Sequence, residues 1–87
     1  MEQAEIINII KQALPSAQIS AEGADCSFTV QVVSESFSGV GAVKRQQQIL
    51  GLFSALLTTG ALHALSVKAY TPEEWAAAQT PLTQLSL

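Results

Sequence analysis

The stretch FTVQVVSE, residues 28–35, decides the fold. Phe28, Val30 and Val32 alternate with Thr29, Gln31 and Val33. A period of two is the signature of a strand with one face against a core. LSVKAY, residues 65–70, repeats the pattern, setting Leu65, Val67 and Ala69 against Ser66, Lys68 and Tyr70. A shorter strand is expected over residues 17–21, around Ile19, followed by a Gly-, Asp- and Ser-bearing turn over 22–27.

The intervening segments read as helices. Over residues 2–14, Ile6, Ile9, Ile10 and Ala13 fall at helical spacing, with Ile7 and Leu14 widening the stripe. Pro15 stops that helix, because the residue before a proline is pushed out of the helical region. After the loop SFSGVG, 36–41, residues 42–58 carry a broad apolar face of Val43, Ile49, Leu50, Phe53, Leu56 and Leu57. Gly51 divides this span, since glycine inside a helix costs ~1 kcal/mol relative to alanine, and Gly60 is a stop signal. TPEEW, 71–75, opens the last helix: Thr71 caps, Pro72 fits the first position and Glu74 completes a capping box. Trp75 reads as a core anchor. The short G-x-G of GVGA, 39–42, reads as a tight turn rather than a phosphate cradle.

The order helix, strand, strand, split helix, strand, helix predicts an α+β domain, a three-stranded mixed sheet with helices packed mainly on one face. One domain over residues 1–80 and a tail over 81–87 are expected within the 87 residues. The short turn makes the first two strands antiparallel. The long helical connection allows the second and third to be parallel.

Composition narrows the function. Charged residues are 13% of the chain and the net charge is −3. The four basic residues, Lys11, Lys44, Arg45 and Lys68, make a poor footprint for phosphate backbones. One cysteine precludes an internal disulfide and fits a reducing compartment, so the cytoplasm, or an organelle matrix after loss of a targeting segment, is expected. No apolar run is long enough to span a membrane. No Ser-His-Asp set, phosphate-cradling loop or acid–base carboxylate pair suggests an enzyme.

The loop GADCSF, 23–28, holds the lone cysteine, Cys26, and His63 is the lone histidine. A loop thiol is most often merely tolerated, and a histidine near a strand start most often satisfies a local hydrogen bond. Yet each precedes a predicted strand by two residues. With those strands parallel, both fall at one end of the sheet. Two donors cannot complete a tetrahedral metal site, and Asp25 would be a poor third beside a thiol. A site shared with a partner is the economical reading. Mixed sulfur and imidazole ligation is known chemistry for a two-iron cluster.

SFSGVGAVKRQQ, with Ser34 before it, and then ALHALSVKAYTPEEW resemble the BolA family over about residues 3–77. Where the namesake branch has Arg-His at the start of the second helix, this chain has Lys44, Arg45, Gln46 and Gln47, as in the IbaG-like branch. The resemblance implies a fold like a type II KH domain. It also implies a [2Fe-2S] cluster shared with a monothiol glutaredoxin and its glutathione, and none in the isolated chain, whether monomer or homodimer. The family's histidine ligand falls on His63. Its second ligand, a cysteine or histidine between the first two strands, falls on Cys26; the IbaG-like branch often has histidine where this chain has Ser27. Transcriptional regulation through DNA is a further activity proposed for the family, and for it Lys44 and Arg45 are the positions to test. The alternative for those two is a solvated pair of charges at a helix start.

Overall fold

This computed structural model describes residues 2–79; the expected tail at 81–87 lies outside them. The chain runs α1 (Gln3–Ala13), β1 (Gln18–Ala24), β2 (Ser27–Val33), α2 (Ala42–Gly51), α3 (Ser54–Thr59), β3 (Ala64–Tyr70) and α4 (Pro72–Gln79). The sheet order is β1-β2-β3, with β1 antiparallel and β3 parallel to β2. Gly51 and Gly60 end α2 and the C-capped α3 where glycine was expected to break the helical span, Gly60 in the left-handed region at φ 85°.

The alternation in FTVQVVSE becomes the core. Phe28, Val30 and Val32 are buried, and they pack with Ile6 and Ile10 of α1, Ile49 of α2, and Phe53, Leu62 and Val67. Each of these side chains, moved out of water, contributes about 1.5–3 kcal/mol before the cost of ordering the chain. The strand stops at Val33 because Ser34 turns the backbone. Its hydroxyl accepts from the Ser36 amide at 3.1 Å and starts a short 3-10 turn over Glu35–Phe37.

Three expectations are corrected. The turn is two residues long, not six: the β1–β2 ladder continues through Gly23 opposite Phe28 and Ala24 opposite Ser27. Backbone pairing carries the ladder past the last apolar residue, so polar composition overstated the turn. Val43 does not share the buried face of α2; it is 69% exposed. Arg45, four residues before Ile49, takes that face instead. Trp75 is half-buried and lies outside the core cluster, lining a depression with Gln18, Ser20, Gln31 and Val33. By the alternation of the strands, Gln31 and Val33 point away from Val30 and Val32. Trp75 stacks at a tilt on Tyr70, ring centroids 5.2 Å apart.

Candidate functional site

The parallel pairing of β2 with β3 begins at Ser27 opposite Ala64. Cys26 and His63 are therefore the residues just before the first rung, side by side at one rim of the sheet. Their backbones are joined directly. The Cys26 carbonyl accepts hydrogen bonds from the His63 amide at 2.7 Å and the Ala64 amide at 3.1 Å. Two groups far apart in sequence are thus fixed to one backbone acceptor, each on a short connection that the sheet anchors.

The sequence explains how each is held. Cys26 occupies the second position of the hairpin turn, after Asp25, which takes a positive φ of 61°. Aspartate is among the few non-glycine residues that tolerate this region. Below it, Gly23 sits at φ 118°, and a Cβ there would lie 2.3 Å from the Ser27 carbonyl oxygen. Only glycine lets the two strands approach that closely beneath the cysteine. On the other side, Leu62 is fully buried and its amide donates to the Leu56 carbonyl at 3.1 Å. That pins the residue before His63 into the core. The imidazole lies beside Gly60, its Nε2 3.9 Å from where a Cβ would stand. Gly60 thus both ends α3 and leaves room for the ring. Cys26 is half-buried and His63 exposed, so both are reachable from outside.

Among the described residues no group of three or more histidine, cysteine, aspartate or glutamate side chains could hold a metal ion. The rim supplies a soft thiol and an imidazole. Thiol and imidazole are both donors that iron accepts, and two donors alone do not complete a four-coordinate site.

Lys44 and Arg45, the positions singled out for nucleic acid, are not equivalent. Lys44 is exposed. Arg45 is a buried network residue, not a solvated charge. Its Nε donates to the Val40 carbonyl at 2.7 Å, Nη1 to the Ala69 carbonyl at 3.2 Å, and Nη1 and Nη2 to both carboxylate oxygens of Glu74. Its guanidinium carbon also stands 5.7 Å from the centre of the Phe37 ring. A guanidinium committed in this way has little left to offer a phosphate. Neutralising it would disturb the fold before it tested DNA binding.

Glu74 is the other half of that network, and sequence reasoning placed it only in the helix cap. It does close the box: Thr71 Oγ1 accepts from the Glu74 amide at 3.1 Å, and Glu74 Oε1 accepts from the Thr71 amide at 3.0 Å. The Arg45 hydrogen bonds, with the Thr71 amide second, hold the Glu74 carboxyl down at about 2. The same carboxylate raises Arg45 above its ordinary value.

Among the described residues no helix is long and apolar enough to cross a membrane. A family model described as BolA-like protein matches residues 2–74. The acid stress protein IbaG of Escherichia coli K12 is 38% identical over 76 residues, which are 87% of this chain and 90% of that one. Among solved structures, a bolA protein homologue from Coxiella burnetii superposes with a TM-score of 0.76 at 28% identity, covering 87% of this chain and 97% of that one. BolA1 from Arabidopsis thaliana superposes at 0.74 with 29% identity, covering 85% and 98%. The three-stranded mixed sheet, its helices and these matches together establish that the chain belongs to the BolA family.

Proposed function

We propose that this protein is a non-enzymatic adaptor in iron–sulfur handling that shares a [2Fe-2S] cluster with a monothiol glutaredoxin. The observation that carries the reading is the pair of hydrogen bonds from the His63 and Ala64 amides to the Cys26 carbonyl, which hold a thiol and an imidazole at one accessible rim. In this reading Cys26, as thiolate, and His63, as neutral imidazole, hold one iron, while the partner's cysteine and a glutathione thiol hold the other. The bound cluster supplies a redox centre that can be passed on. Imidazole in place of a thiolate changes its charge and raises its potential. Leu62, Gly60 and Gly23 keep the two donors in register, so the chain presents a preformed half-site rather than folding around its guest. The name of the Escherichia coli relative points to acid stress as the condition in which such an adaptor is called on.

The test is co-expression with a monothiol glutaredoxin, purification of the pair, and visible circular dichroism. The wild-type pair is expected to give a spectrum distinct from that of the glutaredoxin alone. His63→Ala should abolish the distinct spectrum. Cys26→Ala should alter it and shorten the cluster's lifetime by more than about tenfold, the lower bound of what losing even an outer-shell partner costs a metal site. Unaltered spectra for both variants would refute the assignment.

A further inference from the structure

The sheet has two outer edges, β1 and β3, and the chain treats them differently. The Cys26 carbonyl accepts from the Ala64 amide and the Ser34 amide donates to the Tyr70 carbonyl, so both point toward β3. Backbone groups alternate in direction along a strand, so even-numbered residues of β2 face β3 and odd-numbered ones face β1. Through the β1–β2 register, Gln18, Ser20, Glu22 and Ala24 then turn their amides and carbonyls inward. Ile19, Ala21 and Gly23 turn theirs outward. The Gln3 side chain, which donates to the Gly23 carbonyl at 3.1 Å from outside the sheet, agrees with that assignment. By the same alternation Leu65, Val67 and Ala69 face outward on β3.

The β3 edge is covered. Gln46 Nε2 donates to the Val67 carbonyl at 3.4 Å and Arg45 Nη1 to the Ala69 carbonyl at 3.2 Å, both from α2. A strand added there would have to displace a buried guanidinium. The β1 edge has no such cover. Among the described residues, no group outside the sheet bonds to the outward amides and carbonyls of Ile19 and Ala21. β1 also lacks the devices that usually blunt an edge: it has no proline and no lysine, and its single charge is Glu22.

We infer that β1 is a self-association edge, on which the β1 strand of a second copy of this chain pairs antiparallel about a two-fold axis at Ser20. The edge selects both the occupant and the register. Centred on Ser20, Ile19 stands opposite Ala21 of the second copy and Ala21 opposite its Ile19. Each such pair exchanges both of its hydrogen bonds, so every outward group of the two residues is satisfied. The next rung sets Ala17 against Gly23. The bond missing from it would run from the Ala17 amide to the Gly23 carbonyl, and both are already satisfied, by the Leu14 carbonyl and the Gln3 side chain. The side chains fit the same register. Ser20, exposed and small, meets its own copy at the axis. Glu22 meets the neutral amide of Gln18 rather than another carboxylate, so like charges do not oppose each other across the new ladder. A strand of unrelated sequence would match this pattern of free and committed groups only by chance. Cys26 and His63 lie beyond the ends of the paired strands, so the pairing is independent of the cluster-sharing reading.

Sedimentation velocity of the full chain, without glutaredoxin, tests this up to about 1 mM, because so short a ladder belongs to the small, transient class of interface. Wild type is expected to shift from one chain toward two as concentration rises. Amide hydrogen exchange at Ile19 and Ala21 should slow about two-fold as the paired fraction passes half, a reading that needs no variant. Ser20→Lys, which sets two ammonium groups face to face at the axis, should weaken dimerisation at least about ten-fold. Ser66→Lys, the same change at an exposed position of β3, should leave it within about two-fold of wild type. The inference is overturned by a chain that stays single at about 1 mM, by a dimer that Ser20→Lys does not weaken, or by one that Ser66→Lys weakens as much. Protection of the Ile19 and Ala21 amides only when glutaredoxin is added would also overturn it, by giving the edge to a different protein. None of these results bears against the shared cluster.

Discussion

Glu74 does two jobs with two oxygens. One closes the cap at Thr71, and both meet Arg45. Its carboxyl titrates at about 2 in the folded chain against an ordinary 4.5. A lowered folded value means that the stabilisation is fully present above about 4.5 and drains away as pH falls toward about 2. Glu74→Gln should therefore lower the urea midpoint at neutral pH, and the gap to wild type should close between pH 4.5 and 2; a gap unchanged at pH 2 would contradict it. Because the Glu74 side chain is 48% exposed, salt should also narrow the gap. At this scale the sequence was legible where a residue type was unique. One cysteine and one histidine draw the eye. Arg45 was illegible because its partner lies 29 residues away, and a cation beside Lys44 at a helix start has the pattern of a solvated charge. Nothing local announces that its stem fills the stripe position before Ile49.

The elements were legible wherever apolar periodicity was strong. α1, β2, the split between α2 and α3, and β3 all fall where their patterns put them. The hairpin did not, because Gly23, Ala24, Asp25 and Ser27 have turn composition while their backbones still pair. α4 is a case of local chemistry outweighing core packing. Its tryptophan stays half-buried, and what fixes the helix is its start: the Thr71–Glu74 box and the Arg45 clamp. Thr71→Ala should cost about 1 kcal/mol in chemical denaturation, the usual worth of an N-cap. Val43→Ala, on the exposed face of α2, should change stability by less than about 0.5 kcal/mol. Equal losses in the two variants would mean that α4 is held by something other than its cap.

At the scale of the whole molecule, one topological fact organises the account. A hairpin followed by a parallel crossover puts the starts of β2 and β3 at the same end, so the residues before them meet. That convergence was expected on the condition that β2 and β3 run parallel, which they do. The carbonyl of Cys26 bridging to two amides across the rim was not, since register is fixed by packing of Leu62, Val67 and Phe28 rather than by any local signal.

Because His63 is the only histidine in the chain, labelling with ¹⁵N-histidine marks one imidazole. The labelled protein, paired with unlabelled glutaredoxin and reduced, can be examined by pulsed electron paramagnetic resonance. A strong ¹⁵N hyperfine coupling, lost in His63→Ala, is the predicted result. A spectrum showing only weak couplings from unlabelled backbone nitrogen would contradict the claim that this imidazole binds the cluster.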